Sequence, residues 1–245
     1  MSAIASERRE LDRRILKLAV PALFTLAVEP LYVLVDTAIV GHLGTVPLGG
    51  LALATTVLAT VLWAFNFLAY GTTPRVAFLI GAGDERGAGG VAAQGLWLCL
   101  LLGLPLALLV FLGGHGLANA LGGHGHILGA ATTYLRISAL STPSVLVALV
   151  GQGYLRGLSD TVTPFRVVLV ANLLNVVLEV ILVYGFDFGV AGSAWGTVVA
   201  QWVAAAWFIG MCARRIRAAG AGVHPDRDEM VRLASAGRHL FVRTA

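Results

Sequence analysis

The sequence contains few charged residues. Of its 245 residues only 12% are Asp, Glu, Lys or Arg, whereas 58% are hydrophobic and the mean hydropathy is +0.84. A soluble domain of this length needs a charged surface, and charged residues make up about 25% of a typical soluble domain. The composition therefore excludes an ordinary soluble protein, a disordered chain and a collagen-like chain.

Cysteines and hydrolytic motifs are also scarce. The two cysteines, Cys99 and Cys212, lie in apolar runs, and no CxxC or Cys/His spacing typical of a zinc site occurs. The sequence has no GxSxG, HExxH or Walker A motif, so it supports neither ATP hydrolysis nor membrane proteolysis. We therefore expect a protein that is not an enzyme and that has no cofactor, no catalytic residues and no metal site.

Long apolar stretches are abundant. A helix needs about 20 mostly apolar residues to cross roughly 30 Å of hydrocarbon. Six stretches are long enough: residues 18–40, 48–72, 91–112, 131–154, 163–186 and 190–212. The first is too long and too acidic to be a cleavable signal peptide. The sequence predicts an all-α membrane protein, with a cytoplasmic segment at 1–17 and a six-helix transmembrane bundle at 18–213.

The basic residues alternate between the predicted connections. Sixteen of the 17 Lys and Arg residues lie in the N-terminal tail, in or within four residues of the second and fourth connections, or in the tail after the sixth span. The first, third and fifth connections, at 41–47, 113–130 and 187–189, contain none. The positive-inside rule then predicts a multi-pass membrane protein with both termini in the cytoplasm. It also accounts for the net charge of +4 without a nucleic-acid partner.

The C-terminal part of the chain has two interpretations. Residues 214–229 read as a basic cytoplasmic linker, and residues 230–245 resemble the start of a truncated seventh helix. The alternative is an amphipathic helix on the anionic inner leaflet, which Arg232, Arg238 and Arg243 would suit.

Three carboxyl groups fall inside predicted spans: Glu29, Asp36 and Glu179. A charged side chain at the bilayer centre costs about 2.5–3.5 kcal/mol. We therefore expect these side chains to face a wet cavity, bind a cation or hold a proton. The simpler alternatives are a kink at Glu29 beside Pro30 and contact of Asp36 with interfacial water.

The carboxyl groups belong to two polar stripes. Both stripes have residues spaced three and four apart on one helix face: Glu29, Tyr32 and Asp36 in span one, and Asn172, Asn175 and Glu179 in span five. At about 1.5 Å per residue, Asp36 and Glu179 lie at similar depth, roughly 27 Å and 24 Å from the cytoplasmic starts of their spans. If the stripes face each other, the carboxyls bind protons as a coupled set, and their oxygens also suit Na⁺.

Arg136 is a basic residue inside predicted span four. It lies about 8 Å from the outer edge of span four. Its side chain either extends to the lipid headgroups or lines the cavity. The histidines His115, His124 and His126 are expected in a Gly-rich outer loop, where nothing favours a metal site.

Five segments together resemble one family. They read VDTAIVGHLG at 35–44, YLRI at 134–137 followed by Pro143, RGLSDT at 156–161 with Pro164, NLLN at 172–175 followed by Glu179, and GVAGSAW at 189–195. The resemblance is to the multidrug and toxic compound extrusion (MATE) family, in its DNA-damage-inducible, DinF-like bacterial branch. It extends from Leu11 to the last residue, and residues 240–244 resemble the start of the family's helix seven.

This resemblance implies an antiporter of the bacterial inner membrane that is built of two six-helix bundles. Such a protein exports organic cations or other amphipathic compounds in exchange for protons or sodium ions. Asp36 matches the family's acidic residue of helix one, and Asn175 and Glu179 match the Asn and acidic pair of helix five, where Asp is usual. Glu29 is matched only weakly.

The length implies that the chain is the N-terminal half of such a transporter. Its expected partners are the lipid bilayer, a small organic substrate, and either the missing second lobe or a second copy of the chain. Two alternatives stay open at this point: a flippase for lipid-linked precursors with the same architecture, and a membrane fragment that does not transport.

Overall fold

The computed structural model describes residues 30–244, with side chains as far as residue 235. Its helices are α1 Pro30–Gly41, α2 Thr45–Trp63, α3 Phe67–Gly81, α4 Glu85–Ala120, α5 Gly125–Ser138, α6 Thr142–Gly157, α7 Val162–Val180, α8 Gly189–Ala218 and α9 Arg227–Thr244. Short 3₁₀ turns at Ala64–Asn66 and Ala139–Ser141 join α2 to α3 and α5 to α6, and a π-helical turn, Ile181–Gly185, extends α7. The described residues contain no strand.

The long apolar helices confirm the all-α membrane fold. Five segments can cross a membrane by length and composition: Thr45–Gly81, Glu85–Ala120, Gly125–Gly157, Val162–Gly185 and Gly189–Ala218. Each overlaps one of the predicted stretches from the second to the sixth. The first predicted stretch is described only from Pro30 onward, as α1, and Glu29 lies outside the described residues together with the segment 1–17.

The expected outer loop at 113–130 is wrong. α4 continues to Ala120 and α5 begins at Gly125, so the connection has only four residues. His115 therefore lies in α4, His126 lies in α5, and only His124 lies in the connection. Gly114 lets α4 and α5 approach closely, because a Cβ atom on it would lie 3.1 Å from the Cβ of Leu135.

The third long span, α5 with α6, is the central element of the bundle. Of its most apolar part 72% is buried, against 22% to 39% in the other four. Close approach at small residues makes this possible: a Cβ atom on Gly151 would lie 2.7 Å from the ring of Phe208 in α8, and one on Gly157 would lie 2.6 Å from Val76 in α3. Small residues at helix crossings are the usual packing solution in membranes.

The segment after α8 packs against the bundle. α9 lies along α3 and α4, where Leu233 is buried and Glu229 forms an ion pair with Arg75 of α3 at 3.5 Å. The predicted linker 214–229 is shorter in the structure, since α8 runs to Ala218 and α9 starts at Arg227. α9 is not among the helices apolar enough to cross a membrane, and these contacts favour the amphipathic interpretation of its first half. The start of a seventh span after residue 235 stays a prediction.

The connection 219–226 is held by α4. Gln94, which is only 5% exposed, donates from Nε2 to the carbonyl of His224 and accepts from the backbone N–H of Asp226, both at 2.8 Å. Trp97 Nε1 donates to the carbonyl of Val223 at 2.8 Å. We call Gln94, Trp97 and their backbone partners the amide clamp.

Candidate cation-coupling site

The site is built on α8. Ser193, Thr197 and Gln201 follow each other at intervals of four residues and therefore share one helix face. On the neighbouring face, Gly192 and Gly196 allow α7 to approach closely, because a Cβ atom on Gly196 would lie 3.2 Å from the backbone nitrogen of Glu179. The lack of side chains at these glycines brings the carboxyl-bearing turn of α7 next to the hydroxyl-bearing face of α8.

Hydrogen bonds from this face hold α1 and α7. Ser193 Oγ donates to Asp36 Oδ1 at 2.9 Å, and Asn175 Nδ2 donates to Thr197 Oγ1 at 3.1 Å. Thr197 Oγ1 donates its one hydrogen to the carbonyl of Ser193 at 3.1 Å. The contact of 3.4 Å between Thr197 Oγ1 and the Tyr32 hydroxyl must then have Tyr32 as the donor, since a threonine hydroxyl has one hydrogen.

The two carboxyl groups are buried side by side. Asp36 is 4% exposed and Glu179 is fully buried. The carboxyl group of Asp36 lies next to that of Glu179, and Ser193 lies beside both. Within residues 30–235 neither carboxyl forms a salt bridge. Both oxygens of Glu179 and Oδ1 of Asn175 have no hydrogen-bond partner in the described part of the chain.

Tyr134 of α5 completes the cluster. It is 3% exposed and its hydroxyl lies beside Ser193 and Thr197, close to Asp36. Tyr134 and Ser193 were predicted only as parts of segments that resemble the family, not as site residues, and Thr197 was not predicted at all. Ser193, Thr197 and Gln201 are spaced four residues apart within an apolar span. This spacing could have predicted that α8 contributes a polar face to the site. We call Asp36, Tyr134, Asn175, Glu179, Ser193 and Thr197 the acidic cluster.

Residues of the acidic cluster line one cavity, and a second cavity adjoins the first. The acidic cavity, of about 490 Å³, is lined by Asp36, Tyr134 and Thr197 and by further hydroxyl-bearing residues: Thr37, Thr55, Thr56, Ser138, Ser141 and Thr142. The amide cavity, of about 360 Å³, is lined by Asn66, Gln152, Arg156 and Asn172. Tyr32, Val145 and Gln201 line both cavities, so the two adjoin each other.

The structure separates the predicted site residues into groups. Asp36, Asn175 and Glu179 come together, and Tyr32 joins them through Thr197. Asn172 instead lines the amide cavity. Arg136 is exposed on α5 and lines neither cavity, so the contact with lipid headgroups is the better interpretation. Glu29 lies outside the described residues.

Comparison with known proteins defines the class of this protein. The family model MatE matches residues 21–181, which is more than half of the chain. DNA damage-inducible protein F of Escherichia coli K12 is 36% identical over 196 residues, covering 78% of this chain and 42% of that protein. Multidrug export protein MepA of Staphylococcus saprophyticus is 24% identical over 240 residues, covering 96% of this chain and 53% of that protein.

Solved structures agree with these matches. A transporter of the MOP superfamily from Pyrococcus furiosus superposes with a TM-score of 0.82 at 26% identity, over 93% of this chain and 51% of that one. A MATE in the bent conformation superposes equally well, with a TM-score of 0.82 at 27% identity over 94% of this chain and 52% of that one. The fold is thus similar to one half of these membrane transporters. The chain belongs to the MatE family and spans about half the length of these relatives.

Proposed function

We propose that this chain is the first lobe of a secondary antiporter that exports organic cations or other amphipathic compounds in exchange for protons or sodium ions. One observation carries the proposal. Three buried acceptor oxygens, two from Glu179 and one from Asn175, have no hydrogen-bond partner in residues 30–235, and a second buried carboxyl lies beside them. Buried acceptors need a donor or a cation, and both a proton and Na⁺ meet that need.

Cation binding at this cluster affects the position of α1. Asp36 lies on α1 and Glu179 on α7, so two ionised carboxylates repel each other in surroundings of low dielectric. A bound proton or Na⁺ removes that repulsion. α1 is otherwise held by Ser193, by Tyr32 through Thr197, and by the Tyr184 hydroxyl, which donates to the carbonyl of Ile39 at 2.8 Å. Occupancy of the cluster therefore controls how strongly α1 is held against α7 and α8.

The same carboxyls account for exchange. Asp36 lines the acidic cavity, so an organic cation in that cavity is attracted by the charge that the coupling cation would neutralise. The aromatic and apolar walls of the two cavities suit the rest of an amphipathic compound. Binding of the substrate and binding of the coupling cation then exclude each other, which is the requirement for antiport.

The flippase alternative is not favoured. A lipid-linked precursor carries phosphates and would need a strongly basic cavity, whereas the buried charged groups next to the cavities are carboxyls. The basic connections support insertion in the cell membrane with both termini on the cytoplasmic side.

A binding experiment tests the proposal. The chain is reconstituted in nanodiscs, and binding of the cationic dye ethidium is followed by fluorescence polarisation. We expect lower pH or added Na⁺ to weaken dye binding. We expect Asp36→Asn and Glu179→Gln to weaken it about tenfold or more, as loss of a charged interaction of about 1.5–3 kcal/mol implies.

The control is Asp187→Asn. Asp187 is an exposed carboxyl with a φ of 55°, a backbone conformation that asparagine tolerates. Equal dye binding by all four proteins, or binding that is insensitive to both pH and Na⁺, would contradict the proposal.

Transport itself is expected to require a second lobe. Alternating access needs two bodies that move around one site, and residues 30–218 form one bundle. In liposomes with an imposed proton or sodium gradient, we expect the 245-residue chain alone to give no more dye efflux than empty vesicles. Efflux above that level would show that one lobe, or two copies of it, is sufficient.

A further inference from the structure

The helix that carries Asp36 has few buried residues. In α1, Pro30–Gly41, only Asp36, Ile39 and Val40 are buried, and the other side chains are partly or fully exposed. A helix with so little buried surface is positioned by a small number of specific contacts. For α1 these contacts lie in its last two turns, and they decide where the carboxyl group of Asp36 is placed.

The C-terminal end of α1 is completed by a bond from another helix. The last four carbonyls of an α-helix have no partner within the helix. Three of those in α1 accept from backbone N–H groups that follow closely in the chain: Ala38 from His42, Val40 from Leu43, and Gly41 from Gly44. The fourth, that of Ile39, accepts from the Tyr184 hydroxyl at 2.8 Å. Tyr184 lies 145 residues later in the chain, so this bond fixes the end of α1 to α7.

A π-helical turn places Tyr184 at this end of α1. The turn Ile181–Gly185 follows directly after α7. Residues five apart in an α-helix point about 140° away from each other, whereas the wider π turn brings them closer to one face. Glu179 and Tyr184 are five residues apart, and both meet α1, one beside Asp36 and the other at Ile39.

The π turn is itself packed against α8. A Cβ atom on Gly192 would lie 2.9 Å from the carbonyl carbon of Leu182, so the backbone of α8 approaches the turn closely. The next residue of α8, Ser193, donates to Asp36 Oδ1 at 2.9 Å. One stretch of α8 therefore supports both groups that hold the buried end of α1: Ser193 at the carboxyl group and Tyr184 at the backbone.

We propose that Tyr184 is a positioning residue for cation coupling, which holds the carbonyl of Ile39 and thereby keeps Asp36 beside Glu179. A single proton or Na⁺ meets both carboxyl groups only while they lie together. A ligand that binds one arrangement of a protein loses apparent affinity in proportion to the fraction of molecules in that arrangement. Loss of the Tyr184 bond should therefore weaken binding of the coupling cation. This role rests on the proposed antiport function.

The surroundings of Asp36 allow a simple test of this role. The titratable side chains close to Asp36 are Glu179 of α7, Tyr134 of α5 and Tyr32 of α1, and Ser193 of α8 is a neutral neighbour. Tyr184 is half-exposed, so Tyr184→Phe removes its hydrogen bond without opening a cavity and leaves these groups unchanged.

Competition between cation and dye tests the positioning role. Ethidium bound to the chain in nanodiscs is displaced by Na⁺ at alkaline pH, or by acid in buffer without Na⁺. For Tyr184→Phe we expect half-displacement to need about fivefold more of the displacing cation, as loss of one hydrogen bond implies, while dye affinity without that cation changes by less than about twofold. A general loosening of the bundle would weaken dye binding as well.

The matched control is Trp97→Phe. Trp97 is also a half-exposed aromatic residue that donates to a backbone carbonyl at 2.8 Å, but its acceptor is Val223 in the amide clamp. This variant should change neither the dye affinity nor the cation concentration for half-displacement. If Trp97→Phe shifts half-displacement as much as Tyr184→Phe does, the effect is not specific to α1 and the positioning role is overturned.

Hydrogen–deuterium exchange supplies a readout that needs no dye. We expect Tyr184→Phe to speed amide exchange in residues 40–44 about fivefold, and Trp97→Phe to leave it unchanged. Unchanged exchange in Tyr184→Phe, or half-displacement equal to that of the unmodified protein, would overturn the positioning role alone. Failure of both cations to displace the dye from the unmodified protein would contradict the proposed function, and the positioning role with it.

Discussion

The side chains of Gln94 and Glu179 are both buried in this bundle, but their hydrogen bonds differ. Gln94 uses both of its amide atoms on the connection 219–226, at 2.8 Å each. Glu179 has no hydrogen bond to either oxygen within the described residues. Burial of a polar group in a membrane bundle therefore does not by itself indicate a ligand site. A buried polar group whose hydrogen-bond partners are all supplied by the protein is structural, whereas one that lacks such partners is a candidate for binding a ligand.

The largest loss of stability is expected when the amide clamp is broken. Gln94→Met keeps the size of the side chain but removes two hydrogen bonds of about 1 kcal/mol each. A loss of about 2 kcal/mol corresponds to roughly 30-fold faster amide exchange in residues 219–235, measured by hydrogen–deuterium exchange. Exchange in α5 and α6 should not change.

The matched variant for the clamp is Gln201→Met. Gln201 lies on α8, where it lines both cavities and does not contact the connection. Equal exchange in residues 219–235 for Gln94→Met and the unmodified protein would show that the clamp does not hold the connection. Faster exchange throughout the bundle would show that Gln94 has a general rather than a local role.

A smaller loss of stability is expected at the helix contact that supports the acidic cluster. Gly196→Ala places a Cβ atom about 3.2 Å from the backbone nitrogen of Glu179 and should cost about 1 kcal/mol. Gly210→Ala in the same helix meets nothing within 4 Å and should be neutral or slightly stabilising. Thermal unfolding of the two variants compares them directly, and equal melting temperatures would mean that α7 and α8 do not depend on this close approach.

The smallest effect on stability is expected for a substitution of Glu179. Glu179→Gln replaces an unsatisfied carboxyl by a neutral amide and loses no hydrogen bond to described residues. We expect the melting temperature to stay the same or rise slightly, in contrast to the fall expected for Gly196→Ala. A clear fall for Glu179→Gln would place Glu179 with Gln94, as a structural residue.

The polar stripes were predictable because they depend on helix geometry alone. Asp36, Asn175 and Glu179 lie at spacings of three and four in apolar spans, so their shared faces follow from 3.6 residues per turn. The contribution of α8 was harder to predict. Ser193 and Thr197 are unremarkable in composition, and their role arises because Gly192 and Gly196 let α7 approach α8. The partner of Gln94 could not be predicted from the sequence, because it is backbone more than 120 residues later in the chain.

The sequence by itself determined the membrane class, the overlapping apolar spans, the basic connections and the family, because these depend on local composition and order along the chain. The tertiary structure decided which polar groups are satisfied. It paired Gln94 with the connection 219–226, left oxygens of Glu179 and Asn175 without a hydrogen-bond partner among residues 30–235, and exposed Arg136. The physical reason is that a buried hydrogen bond depends on distance and direction between atoms from separate helices, and that geometry exists only once the helices have packed.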